Sequence, residues 1–151
     1  MVWLRIRRAT TFLFAMRGSK KIVGSPLAGI HFHGARTLDY FIAHEITHQL
    51  TGHALGPIRY FQLPRWVREG HADYVGKGSS FNYIEAREAF RKEAPEMGYK
   101  RSGLYWRFHL WVAHLLDRQG RAVSELLRQP PSQADVEAAV REEKDGTHTK
   151  C

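Results

Sequence analysis

The sequence almost lacks cysteine: the only one, Cys151, is the last of 151 residues. An internal disulfide is therefore impossible, and so is a zinc finger built on cysteines. It also lacks any run of 18 apolar residues, so no segment suits a membrane-spanning helix. Residues 1–36 lack acids altogether while carrying Arg5, Arg7, Arg8, Arg17, Lys20, Lys21 and Arg36, much of the net charge of +8. Such an excess serves as a solvated basic face or as a surface for nucleic acid. A nucleic-acid groove would interleave aromatics within a recognisable fold motif, and no such motif is present. A secretory signal is not expected either. The apolar run Ala9–Met16 is short, contains two threonines, and is followed by Arg17 without a small-residue cleavage site. Without a signal or a spanning helix, the chain as given is expected in the cytoplasm.

What remains is globular composition, 43% hydrophobic and 25% charged, at a length that suits one domain. Thr10–Ala15 is rich in β-branched and aromatic residues and reads as a strand. Short strands are expected at Trp3–Ile6, Thr11–Met16 and Gly29–His33, punctuated by Gly18, Gly24, Pro26, Gly29 and Gly34. From Thr37 the period changes. Leu38, Phe41, Ile42, Ile46 and Leu50 recur every three or four residues, marking an amphipathic helix that ends near Gly52. After a loop at Gly56-Pro57, Pro64 opens a second helix to about Val75. A third is expected over Asn82–Glu93, a fourth over Gly103–Arg118 with Ser102 as cap, a short one over Ala122–Arg128, and a last from Ser132 to about Glu143. The expected fold class is α+β: a small N-terminal β-sheet followed by a helical body, one domain over 1–143, with 144–151 a frayed tail.

Nine histidines are unusual for this length, and four of them, His44, His48, His53 and His71, fall within 28 residues. His44-Glu45-Ile46-Thr47-His48 is an H-E-x-x-H motif in the first helix. Residues i and i+4 share one helix face, so both imidazoles can reach one metal ion about 2.0–2.1 Å away. Glu45 is turned by about 100°, off the metal but placed to take a proton from a water activated beside it. A catalytic zinc needs a third protein ligand. The second helix offers Glu69, 21 positions after His48, with Asp73 one turn further on the same face. A carboxylate at Asp73 could accept the other ring N–H of a zinc-bound histidine.

His44-Glu45-x-x-His48 followed by Trp66-x-x-Glu69-Gly70-x-Ala72-x-Tyr74 resembles the gluzincin metallopeptidases, in particular small bacterial peptidase MA-like domains. The resemblance implies a zincin-like fold, one zinc ion per chain held by His44, His48 and Glu69, and Glu45 as general base. It also implies that Asp73 supports a zinc-binding histidine, as in thermolysin-like enzymes. Tyr105, with Gly120 15 positions later across an apolar helix, is similar to the segment whose tyrosine steadies the tetrahedral intermediate in gluzincin aminopeptidases. The resemblance spans about Thr10 to Arg128. A Gly-x-Met-x-Asn type segment for a substrate amino terminus is missing, which points to an endopeptidase.

Alternatives stand beside these assignments. Gly52 and His53 lie one place away from the glycine and third histidine of the metzincin pattern, and one residue turns a ligand by about 100°. His71 is either substrate-facing or partly exposed. Tyr60, Tyr74, Tyr83, Tyr99 and His109 rival Tyr105 as donor to the carbonyl oxygen. The expected function is zinc-dependent hydrolysis of peptide bonds in a peptide or protein substrate. The alternative is a catalytically silent or regulatory zinc domain that binds a protein or DNA partner through its basic face.

Overall fold

The structure, a computed structural model, describes residues 37–98 and 103–143. Helices hold 81% of the described residues, and no strand occurs among them. This corrects the α+β expectation: the described protein is a helical fold. From Thr37 onward the chain carries helical period and helix caps, with no alternating segment able to pair into a sheet. The strands expected within residues 1–36, the Ser102 cap and the tail 144–151 lie outside the described residues.

Helix α1 spans Leu38–Leu55 and starts where the Thr37 side chain accepts a hydrogen bond from the Tyr40 backbone N–H at 3.3 Å. Gly56, at φ 78°, turns the chain out of it. The next segment is not the expected loop. Pro57 sits in the first turn of a short helix, α2 (Pro57–Gln62), where its missing N–H costs nothing. Helix α3 is Arg65–Lys77. Helix α4 is Tyr83–Arg91, capped by Asn82 through the Glu85 N–H. Helix α5, Gly103–Ala113, runs on into a wider π-helical turn, His114–Arg118, closed by the Gln119 N–H on the His114 carbonyl at 3.0 Å. Helices α6 (Val123–Arg128) and α7 (Gln133–Glu142) follow, and Ser132 caps α7 through the Asp135 N–H, as its spacing predicts.

Helix α3 lies between α1 and α5. Its fit against α5 depends on Gly70, where a Cβ would stand 2.6 Å from the Phe108 carbonyl oxygen. On the other side, a Cβ at Gly76 would stand 3.0 Å from the Tyr40 ring. Helix α5 is the core of the domain: Trp106, Phe108, Leu110, Trp111, Val112 and Ala113 are all buried, not merely the one broad face expected. The Trp111 ring meets Trp66 edge-on at 5.9 Å and Phe90 at 6.2 Å.

The amphipathic reading of α1 is inverted. Leu38, Ile42, Ile46 and Leu50 are 43–65% exposed, while Tyr40, His44, Thr47 and Thr51 are buried against α3. The inward face of this helix is polar, and it is the face that carries the histidines. Among the described residues, no helix is long and apolar enough to cross a membrane.

Candidate metal centre

Helix α1 presents His44 and His48 one turn apart, and α3 presents Glu69 opposite them. The Nε2 atoms of the two histidines are 3.1 Å apart, and Glu69 Oε2 lies 3.6 Å from His44 Nε2 and 3.5 Å from His48 Nε2. Four ligands held about 2.0–2.1 Å from a zinc ion at tetrahedral angles are separated from one another by about 3.3–3.4 Å. The three donor atoms therefore have the spacing of one face of such a tetrahedron. Among the described residues these are the histidines and acids that could hold a metal ion together. The donor set, two imidazoles and one carboxylate, is that of a catalytic zinc site with one position left open. The residues present fit the ion that the sequence implies.

Charge supports the same reading. Among the described residues no lysine or arginine pairs with Glu69; its neighbours are the two imidazoles, which are uncharged when neutral. Burial works against ionisation of Glu69, but hydrogen bonds with His44 and His48 outweigh it and hold the carboxyl below the usual range. Glu69 is partly exposed and, among the described residues, has these two imidazoles and no lysine or arginine beside it.

Behind the ligands, each histidine turns its Nδ1 to a tyrosine hydroxyl. Tyr60 Oη is 2.8 Å from His48 Nδ1, and Tyr40 Oη is 3.5 Å from His44 Nδ1. Asp73, fully buried, is one step further back than expected: it accepts the Tyr40 hydroxyl through Oδ1, and no hydrogen bond joins it to His44 among the described residues. Its other oxygen takes Lys77 Nζ at 2.8 Å and His109 Nδ1 at 3.1 Å. Burial disfavours the Asp73 charge, but His109 and Lys77 more than offset this and keep its carboxyl well below the ordinary range. Tyr40 and Lys77 did not enter the expected site, and Tyr60 entered it only as a rival donor to the carbonyl oxygen. The available signal was spacing, since Tyr40 precedes His44, and Lys77 follows Asp73, by four residues on one helix face.

Glu45 is exposed beside His44, with no hydrogen bond or ion pair among the described residues. Tyr105, half-buried at the start of α5, brings its ring edge-on to His44 with centroids 6.3 Å apart. The rivals are occupied elsewhere or distant. His109 is 1% exposed, stacked on Phe81 at 3.6 Å and bonded to Asp73. Tyr74 donates to Asp117 at 2.6 Å, Tyr83 donates to Glu143, and Tyr99 lies outside the described residues. His53 is exposed in the last turn of α1 and outside the donor cluster. His71 is buried, not partly exposed: Thr51 Oγ1 stands 3.5 Å from its Nδ1, and burial, with repulsion from His48, lowers its pKa. Two surface hollows lie elsewhere, one of about 550 Å³ between the end of α1 and α6, the other of about 410 Å³ beside Tyr74 and Phe81.

No known protein family, no curated protein and no solved structure matches the sequence.

Proposed function

We propose that the chain is a zinc-dependent metallopeptidase of gluzincin type that cleaves internal peptide bonds. The observation that carries the reading is the convergence of His44 Nε2, His48 Nε2 and Glu69 Oε2, 3.1–3.6 Å apart, around a carboxylate with no lysine or arginine among the described residues to balance it. A zinc ion held there supplies a Lewis acid that polarises a carbonyl and acidifies water.

The chain's own residues do the rest. Glu45, exposed and unpaired among the described residues, takes the proton of the attacking water and passes it to the leaving amine. Tyr105 donates its phenolic O–H to the carbonyl oxygen as negative charge builds there. Tyr40 and Tyr60 hold the two imidazoles with Nε2 toward Glu69. A purely structural site has no use for a free glutamate beside its ligands, so Glu45 favours catalysis over a silent zinc domain.

The test is metal content by mass spectrometry on protein purified without added zinc, followed by cleavage of a peptide library. About one zinc per chain is expected, with cleavage abolished by a chelator and restored by zinc. One zinc without cleavage would reject catalysis and leave a metal domain that binds a partner. No zinc would reject the site.

A further inference from the structure

We propose that the hollow beside Tyr74 and Phe81 is a binding site for a primary ammonium group on an alkyl stem, with Asp117 as its counter-ion. The hollow holds about 410 Å³, and neither His44, His48 nor Glu69 lines it. Its walls come from the end of α3, the turn that leads into α4, and α5 with its π-helical turn. Tyr74, Phe81 and Tyr83 supply aromatic rings, and Asp117 supplies a carboxylate. His109 lines it too, but burial lowers the His109 pKa and keeps the ring neutral near pH 7, against the pull of Asp73. In a chain with a net charge of +8, the described residues around this hollow thus bring one full charge, and it is negative.

Asp117 has room for a donor. Its Oδ1 accepts the Tyr74 hydroxyl at 2.6 Å, and among the described residues no other hydrogen bond or ion pair reaches it. Oδ2 is left to accept from a ligand. The cations next to the lining in sequence are committed to other acids, Lys77 Nζ to Asp73 at 2.8 Å and Arg118 Nε to Glu143 at 2.9 Å. Tyr83 serves as a wall, with His114 stacked on its ring and Arg118 standing over it. Phe81 gives one face to His109 at 3.6 Å and has no other ring contact among the described residues. A cation over a ring beside a carboxylate is supplied from within the chain at Arg118, Tyr83 and Glu143. At Phe81 and Asp117 a ligand would supply it. Its ammonium would donate to Asp117 Oδ2, and its methylene stem would lie along the Phe81 and Tyr74 rings. A quaternary ammonium has no N–H for the carboxylate, so the site favours a primary one. A lysine side chain of a protein and a free alkylamine share this chemistry.

The site does not rest on the zinc reading. The test is nitrogen-15 NMR of the full chain at about pH 7.5, where alkylamines are charged, and at low salt. The backbone amides of Gly78 and Phe81 are followed as butylammonium is added. Saturable shifts are expected there, with tetramethylammonium weaker by about 5–10-fold and butyrate without effect. Asp117→Asn keeps an acceptor for Tyr74 and should weaken butylammonium by about 5–10-fold. Phe81→Leu keeps an apolar wall and should weaken it by about 2–5-fold. Asp117 is exposed, so its variant carries the test even if Phe81→Leu does not fold. Glu69→Ala should bind as the wild type does. A capped Gly-Lys-Gly peptide that binds assigns the site to a lysine of a protein partner; one that fails where butylammonium binds assigns it to a free amine. The site is overturned by an absence of saturable shifts, or by equal binding of tetramethylammonium or butyrate. Unchanged affinity in Asp117→Asn or in folded Phe81→Leu, or loss of binding in Glu69→Ala, overturns it as well, whatever the zinc content.

Discussion

Two glutamates sit among histidines in the domain, and among the described residues only Glu143 is also paired with arginines. Glu143, just past α7, accepts Arg118 Nε at 2.9 Å, lies 3.3 Å from Arg87 Nη1, receives the Tyr83 hydroxyl and has His114 Nδ1 at 3.4 Å. Two guanidinium groups and a phenol leave that carboxylate fully satisfied, and it ties the C-terminal end of α7 to α4 and to the π-helical turn. Glu69 also has histidine neighbours, but among the described residues no lysine or arginine lies beside it. Similar residue types therefore have opposite meanings in the two places. The Glu143 cluster is closed by its two arginines; the Glu69 cluster, among the described residues, offers donor atoms that could hold a metal ion. Asp73 falls on the closed side, since Lys77 balances it, and it reaches His44 only through Tyr40.

The sharpest way to break this comparison is to remove the acid next to each cluster's function. Glu45→Gln should keep zinc and lower peptide cleavage by about 10²–10⁴-fold, the scale of general acid–base catalysis. Glu143→Gln should leave kcat unchanged and instead lower the melting temperature. Equal turnover in Glu45→Gln and wild type would remove Glu45 from the mechanism.

Donor loss should separate the same two regions. Tyr105→Phe is expected to reduce turnover by about 10²–10³-fold, as loss of a donor to a developing oxyanion does, with zinc content and melting temperature intact. Tyr83→Phe, its counterpart beside Glu143, should affect stability alone. Should Tyr105→Phe cleave at the wild-type rate while His109→Ala does not, the role passes to His109, against its placement behind Asp73.

Zinc binding itself gives a smaller but cleaner contrast. A metal that binds only the folded chain stabilises it by about 2.7 kcal/mol at 100 times its Kd. Zinc should raise the melting temperature of the wild type and of Glu143→Gln, but scarcely that of Glu69→Ala, which keeps two of three ligands. Full occupancy in Glu69→Ala would reject the ligand set.

How much of this was legible in the sequence follows from how local each feature is. The His44/His48 pair depends only on helical period, and the Glu69 helix on a second local pattern, so both could be read directly. The buried face of α1 could not. Its apolar period marks Leu38, Ile42, Ile46 and Leu50, yet the helix turns its polar side inward because His44, Thr47 and Thr51 meet α3. Hydrophobic period assumes that apolar side chains decide which face is buried, and a polar site between two helices breaks that assumption. Asp73 is expected beside a histidine of the pair but meets Tyr40, His109 and Lys77 instead, since side chains on different helices meet through tertiary packing. Helix α2 was missed because Gly56-Pro57 reads equally as a loop and as a helix start.

The smallest expected effect is the dependence of stability on pH, and it belongs to the closed cluster. Burial disfavours the charge of Glu143, but the hydrogen bonds from Tyr83, Arg118 and Arg87 outweigh it and bring its pKa down from 4.5 to about 2. A carboxyl whose folded pKa is depressed contributes stability above its unfolded pKa and loses it as the folded pKa is reached from above. The Glu143 contribution should therefore be complete above about pH 5, decline from pH 4.5, and vanish near pH 2. Part of its side chain reaches solvent, so the effect is modest and should shrink in high salt. Glu69 titrates low as well, so the measurement needs metal-free protein and a difference between two variants. Urea midpoints from pH 6 down to about pH 3 should fall less steeply in Glu143→Gln than in the wild type, because the amide has no proton to gain. Parallel curves would mean that Arg87 and Arg118 do not hold Glu143 as described, and the contrast between a balanced and an unbalanced glutamate would lose its balanced half.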